Sequence, residues 1–137
     1  WINFDLTTLP YFDPVLQFES TPDIVLKFRK QAELSNYILI STPEYAHGIP
    51  GVLKNALEWL ICEETMKKNI VVFVASPSGG QYVKEYLLET LKTMDLIVSE
   101  DSTMIITQVR QSINLNADFI NLNLQKEISD FLKRNIY

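Results

Sequence analysis

Apolar positions along this chain follow two alternating rhythms. Unbroken apolar runs of strand length occur at "YILIST", residues 37–42, and at "IVVFVA", residues 70–75. Runs of that kind suit strands covered on both faces, as in a parallel sheet. "MIITQV" at 104–109 reads as a further strand. Between the runs the spacing becomes helical. Val25, Phe28 and Ala32, with neighbouring Leu34, form one stripe, introduced by Thr21 as N-cap, Pro22 at the first helical position and Asp23 in the first turn. Ile49, Val52, Leu53, Ala56, Leu57, Leu60 and Ile61 form the most regular stripe, starting at Pro50. A third helix is predicted over 82–94 through Val83, Leu87, Leu91 and Met94. A last one, over 118–135, carries Ile120, Leu124, Ile128, Phe131 and Leu132. At the start, "WINFDL" alternates apolar and polar residues and predicts a short strand, followed by the turn-rich "TTLPYFDP".

Strands that alternate with helices specify an α/β domain with a parallel sheet and right-handed crossovers. No repeat or linker interrupts residues 1–137, which suit one domain. In open sheets of this class, ligands bind beyond the carboxyl ends of the strands. Two loops there have unusual composition: residues 42–50, with two prolines, one glycine and the only histidine, and residues 76–81, "SPSGGQ".

Composition narrows the chemistry. Apolar residues make up 47% and charged residues 21%, a globular balance. A net charge of −5 argues against a nucleic-acid surface, and the pairs Lys67 with Lys68 and Lys133 with Arg134 read as solvated helix ends. No apolar run reaches the ~20 residues that span a bilayer. One cysteine, Cys62, permits no internal disulfide, so a cytoplasmic location is expected. With one histidine and one cysteine no zinc set can form, and the helix between His47 and Cys62 separates them too far for a nucleophile–base pair. Cys62 reads as a helix-packing residue. His47 is left as a general base or as a loop residue touching a ligand or a neighbouring subunit.

Neither a dinucleotide-binding glycine fingerprint nor a P-loop is present. A receiver-type phosphoacceptor domain would want an aspartate where Thr42, Pro43 and Glu44 end their strand. What remains is a site built mainly of backbone. Pro43 and Pro50 fix φ, while Gly48, Gly51, Gly79 and Gly80 allow close approach to the main chain, and helix-start amides offer donors and a positive dipole end. A flat, heteroatom-rich ring that gains negative charge on reduction, such as a flavin, fits such a site, because the reactivity belongs to the cofactor.

"TPEYAHGIPGVLKNALEWL" strongly resembles the T-P-E-Y-N-x-S-x-P-G-x-L-K-N-A-[IL]-[DE]-W-L segment of the NADPH-dependent FMN reductase family, which includes flavodoxin-like quinone, azo-dye and chromate reductases. "DLTTLPYFDP" is similar to that family's second strand and following loop, and "SPSGG" to its loop after the fourth strand; the likeness runs to about residue 110. The resemblance implies a flavodoxin-like sandwich of strand order 2-1-3-4-5, binding FMN and using NADPH or NADH to reduce quinone-like acceptors. It places Pro43, Glu44, Tyr45, Ala46, His47 and Gly48 along one side of the ring, chiefly through backbone, and Ser76, Ser78, Gly79 and Gly80 along the other, with Tyr45 and His47 shaping the open face. No side chain is assigned as catalytic and no metal is implied. Two positions depart from the family: Ala46 replaces asparagine and Gly48 replaces serine. The family's first strand and Ser/Arg-containing phosphate loop are not matched, so the sequence is expected to be incomplete at its start. A homodimer or dimer of dimers through the helix after the P-G turn is implied, with Trp59 either at that interface or in the core. The alternatives are a binding module of the same fold without FMN and a flavodoxin-type electron carrier.

Overall fold

The computed structural model describes residues 1–107 and 109–137. Its elements are α1 (Asp23–Leu34), β1 (Tyr37–Pro43), α2 (Gly51–Trp59), β2 (Asn69–Ala75), α3 (Gln81–Thr93), β3 (Thr103–Ile106), the short α4 (Val109–Ser112) and α5 (Leu122–Ile136), with single 3-10 turns at Leu6–Thr8, Pro14–Leu16 and Glu63–Thr65. Among the described residues the strands form one parallel sheet of order β1-β2-β3, with Tyr37 opposite Asn69 and Val72 opposite Thr103. The α/β class is therefore as the alternation of patterns requires.

The sheet has a helical layer on each face. On one face Ile40, Ile70, Val72 and Val74 pack with Leu53 and Leu57 of α2 and with Val83, Leu87 and Leu91 of α3. The other side of α2 presents Ala56, Trp59 and Leu60 to Val25, Phe28 and Ala32 of α1. On the opposite face Val71 and Phe73 meet Phe131 of α5, with the two phenyl rings edge-on at 5.1 Å. β2 is buried along most of its length, as its unbroken apolar run predicts.

Several sequence expectations change. Residues 1–5 carry no strand; Phe4 packs on Phe28 at 4.7 Å and the chain then enters a 3-10 turn capped by Asp5. Alternation alone cannot supply the pairing partner that a strand needs. Thr21 is not the N-cap of α1: Pro22 takes that position, and the Thr21 hydroxyl donates to the Gln17 carbonyl at 2.8 Å. The last helix begins at Leu122, not at 118, because Asn121 caps it through the amides of Asn123 and Leu124 while Ile113 and Phe119 pair across a turn. Gln108, placed by pattern in the third strand, lies outside the described residues.

Trp59 belongs to the core and not to an interface. It is fully buried, its Nε1 donates to the Pro10 carbonyl at 2.8 Å, and Phe12 stands edge-on to it at 5.0 Å. Asn55, one turn earlier, donates to the same carbonyl at 2.9 Å and accepts the Phe12 amide at 2.8 Å. The C-terminal carbonyls of α2 are also satisfied from outside the helix. Buried Arg29 donates through Nε to the Trp59 carbonyl at 2.7 Å, and Thr65 donates to that of Leu60.

β1 differs from β2 in one important way. Its outer edge has no strand partner among the described residues, and a trough of about 740 Å³ runs along it. Phe4, Phe28, Leu53, Leu57 and Tyr137 contribute to the walls. Tyr37, Ile38 and Leu39 are consequently half-buried instead of covered on both faces.

Candidate functional site

At the carboxyl end of β1 the chain makes a very tight reversal. The Tyr45 amide donates to the Gly48 carbonyl at 2.9 Å, and the Gly48 amide returns to Tyr45 at 2.8 Å. Between them Ala46 and His47 both take positive φ, 49° and 61°. That is a two-residue turn of the I′ kind, the geometry for which asparagine and glycine are favoured. The cross-bonds use Tyr45 and Gly48, which leaves the amides of Ala46 and His47 without a main-chain partner. Pro50 then sets the start of α2, leaving the Gly51 and Val52 amides outside the intrahelical ladder.

The second loop lies against the first. Ser76 follows β2, is fully buried, and gives its hydroxyl proton to Glu44 Oε2. Ser78 Oγ reaches the same oxygen at 2.9 Å, and the Ser78 amide donates to Ser76 Oγ at 3.2 Å. On the other side, Glu44 Oε1 stands 3.2 Å from His47 Nδ1. Glu44, with only 5% of its side chain exposed, thus joins residues of both loops. The Ser76 hydroxyl, then that of Ser78, holds its carboxyl below the ordinary range against the opposing effect of burial, helped by His47.

Every residue singled out by sequence is at these two bends. Their side chains are used differently, however. Glu44 points into the protein, so what it can offer a ligand is backbone. Gly79, at φ 112°, has open space where a side chain would begin. Gly80 serves packing instead: at φ 72° it lies on Val74 and Ile105. Tyr82 is the residue that sequence reasoning missed. Its ring meets His47 edge-on at 4.4 Å, and with Tyr45 the three side chains make an exposed aromatic rim. The signal was its place directly after "SPSGGQ", where a helix-periodicity reading sees only an exposed position.

The sequence model of the NADPH-dependent FMN reductase family matches residues 3–111. This chain belongs to that family. Among curated relatives, a quinone reductase of Escherichia coli K12 is 38% identical over 99 residues, 68% of this chain and 53% of the relative. An NAD(P)H:quinone oxidoreductase of Solanum tuberosum is 32% identical over 77 residues, 56% of this chain and 40% of the relative. The chain thus spans about half the length of these relatives. Among solved structures, the flavoenzyme NAD(P)H:(acceptor) oxidoreductase FerB of Paracoccus denitrificans superposes with a TM-score of 0.76 at 21% identity, over 94% of this chain and 74% of that one. The fold is flavodoxin-like.

The family implies FMN, and the two bends can be tested for it. Amides at 46 and 47 without main-chain partners, open space over Gly79 and an aromatic rim fit the edge and face of a flat ring. The phosphate is a different matter. Residues 42–50 and 76–81 hold no Lys or Arg to pair with a phosphate, which the resemblance assigns to a different loop. The described residues here fit the ring and not the phosphate.

Proposed function

We propose that this protein is an FMN-dependent NAD(P)H oxidoreductase that reduces quinone-like small acceptors. The observation that supports it most directly is the adjacency of the two bends, joined by Glu44, with unbonded main-chain amides between an aromatic rim and a glycine. When bound, FMN supplies the hydride chemistry. The chain supplies position: the 45–48 turn and residues 78–80 flank the ring, and Tyr45, His47 and Tyr82 border the face over which NAD(P)H and acceptor succeed one another.

A homodimer is part of the proposal. Val52, Ile61 and Tyr86 expose apolar surface on the α2 and α3 side, and Ile61 and Tyr86 border a groove of about 350 Å³ there. A reducing, cytoplasmic location fits the free thiol of Cys62. No helix among the described residues is long and apolar enough to cross a membrane.

The test is titration of the purified protein with FMN, followed by loss of NADPH absorbance on addition of benzoquinone. Quenched flavin emission and quinone-dependent NADPH oxidation are expected. The alternative is a module of this fold that holds no FMN. No FMN-induced rise in melting temperature, with no NADPH oxidation, would establish that reading instead.

A further inference from the structure

We propose that Glu44 is a positioning residue: its ionised carboxylate latches the loop after β2 to the turn after β1 and thereby sets the width of the ring seat. The donors around it require the charged form. Ser76 Oγ and Ser78 Oγ converge on Oε2, at 2.9 Å for Ser78. An amide cannot reverse its polarity, and Ser76 Oγ already accepts the Ser78 amide at 3.2 Å. A proton on the carboxyl would turn one of those acceptors into a competing donor. Hydrogen bonds to an ionised acceptor are about twice as strong as neutral ones, so this is the strongest polar tie between the loops.

The latch spans 32 residues of sequence to Ser76 and 34 to Ser78. Within the second loop little else fixes the chain. Ser76 is buried and Gly80 is packed, but Pro77 and Ser78 are exposed and Gly79 touches nothing where a Cβ would stand. Without the carboxylate, residues 77–79 are a span held only at its ends. With it, Ser78 is drawn toward Glu44, the residue directly before the Tyr45–Gly48 turn. The two sides of the seat then keep a fixed separation before any ligand arrives, which lowers the ordering cost of binding.

The loop half of this inference stands on geometry alone; the cofactor half rests on the function proposed above. Hydrogen exchange of the flavin-free protein separates them. Amides at 78–81 are expected to exchange at least about tenfold faster in Glu44→Ala, with β2 and α1 unchanged. Glu44→Gln, which keeps an acceptor oxygen for the hydroxyls but not the charge, is expected to restore only part of the protection. Ser78→Ala, at an exposed position, should raise exchange partway and serves if Glu44→Ala fails to fold. FMN titration of the same variants should show at least about tenfold weaker binding for Glu44→Ala, with Glu44→Gln and Ser78→Ala falling between it and wild type. Wild-type exchange rates in Glu44→Ala or Ser78→Ala would overturn the latch. Altered exchange in a protein that does not bind FMN at all would keep the latch and overturn the proposed function.

Discussion

Gly80 lies directly on Val74. A Cβ at this position would stand 3.0 Å from Val74 Cγ1 and 3.1 Å from Ile105 Cγ2, both on side chains of the central sheet. The residue also has φ 72°, which costs a non-glycine residue about 1–2 kcal/mol. Gly80→Ala is therefore expected to destabilise the protein by roughly 2–3 kcal/mol, strain and crowding together. Denaturant unfolding reads this loss. A midpoint unchanged from wild type would show that the loop relaxes freely away from the sheet.

The first turn offers the opposite experiment. Ala46 holds φ 49° in a position that favours asparagine, the residue its family carries there. Ala46→Asn removes part of the strain and should stabilise by about 0.5–1 kcal/mol. Thermal unfolding measures it, and the gain should be absent at Gly48→Ser, where nothing about the backbone demands glycine.

Acid should loosen the site in a definite direction. The folded-state value of Glu44 lies below its ordinary one, so its contribution is complete above the unfolded value. It is lost as pH falls through the folded one. Loop protection at 78–81 is expected to be flat from neutral pH down to the ordinary glutamate value and to fall only on further acidification. Glu44→Gln should flatten that profile. Asp5, held low by the Thr7 hydroxyl and then its amide, adds stability with the same sign.

Arg29 shows how much of a charged residue can serve structure. Its Nε and Nη1 donate to the Trp59 and Gln17 carbonyls at 2.7 and 3.0 Å, tying α1 to the end of α2 and to the N-terminal segment. Arg29→Met would strand the Trp59 carbonyl and leave that of Gln17 with Thr21 alone, and is expected to cost about 1–3 kcal/mol. Arg29→Lys should recover less than half, since one ammonium cannot reproduce the guanidinium fork. Urea unfolding distinguishes the two variants.

The open edge of β1 should be adhesive. Unpaired backbone groups beside an apolar trough form a template for intermolecular pairing. The 137-residue polypeptide is expected to bind a hydrophobic dye and to scatter light increasingly with concentration. Ser41→Lys, at an exposed edge position, should suppress the scattering while leaving the melting temperature unchanged.

The parts of this molecule that sequence revealed are those governed by local period. The run of β2 and the stripe of α2 each encode a burial pattern that one element satisfies by itself. "WINFDL" shows the limit: its alternation is real, but Phe4 uses it to anchor on Phe28, and a strand depends on a neighbour that periodicity cannot see. The two loops were legible through their proline and glycine chemistry. The Glu44 contact to Ser76 was not, because it joins residues 32 apart whose types are unremarkable singly. Asn55 and Tyr82 were missed for the same reason, each acting through a distant loop.

The two tryptophans differ as far as two side chains can: Trp59 exposes none of its surface and Trp1 exposes 84%. Excited near the red edge of indole absorption, the protein thus carries one shielded emitter and one bathed in water. An aqueous quencher should extinguish Trp1 and spare Trp59, whose remaining glow reports whether Pro10 and Phe12 still cover α2. The molecule comes with its own optical gauge of that contact, and no label is required to read it.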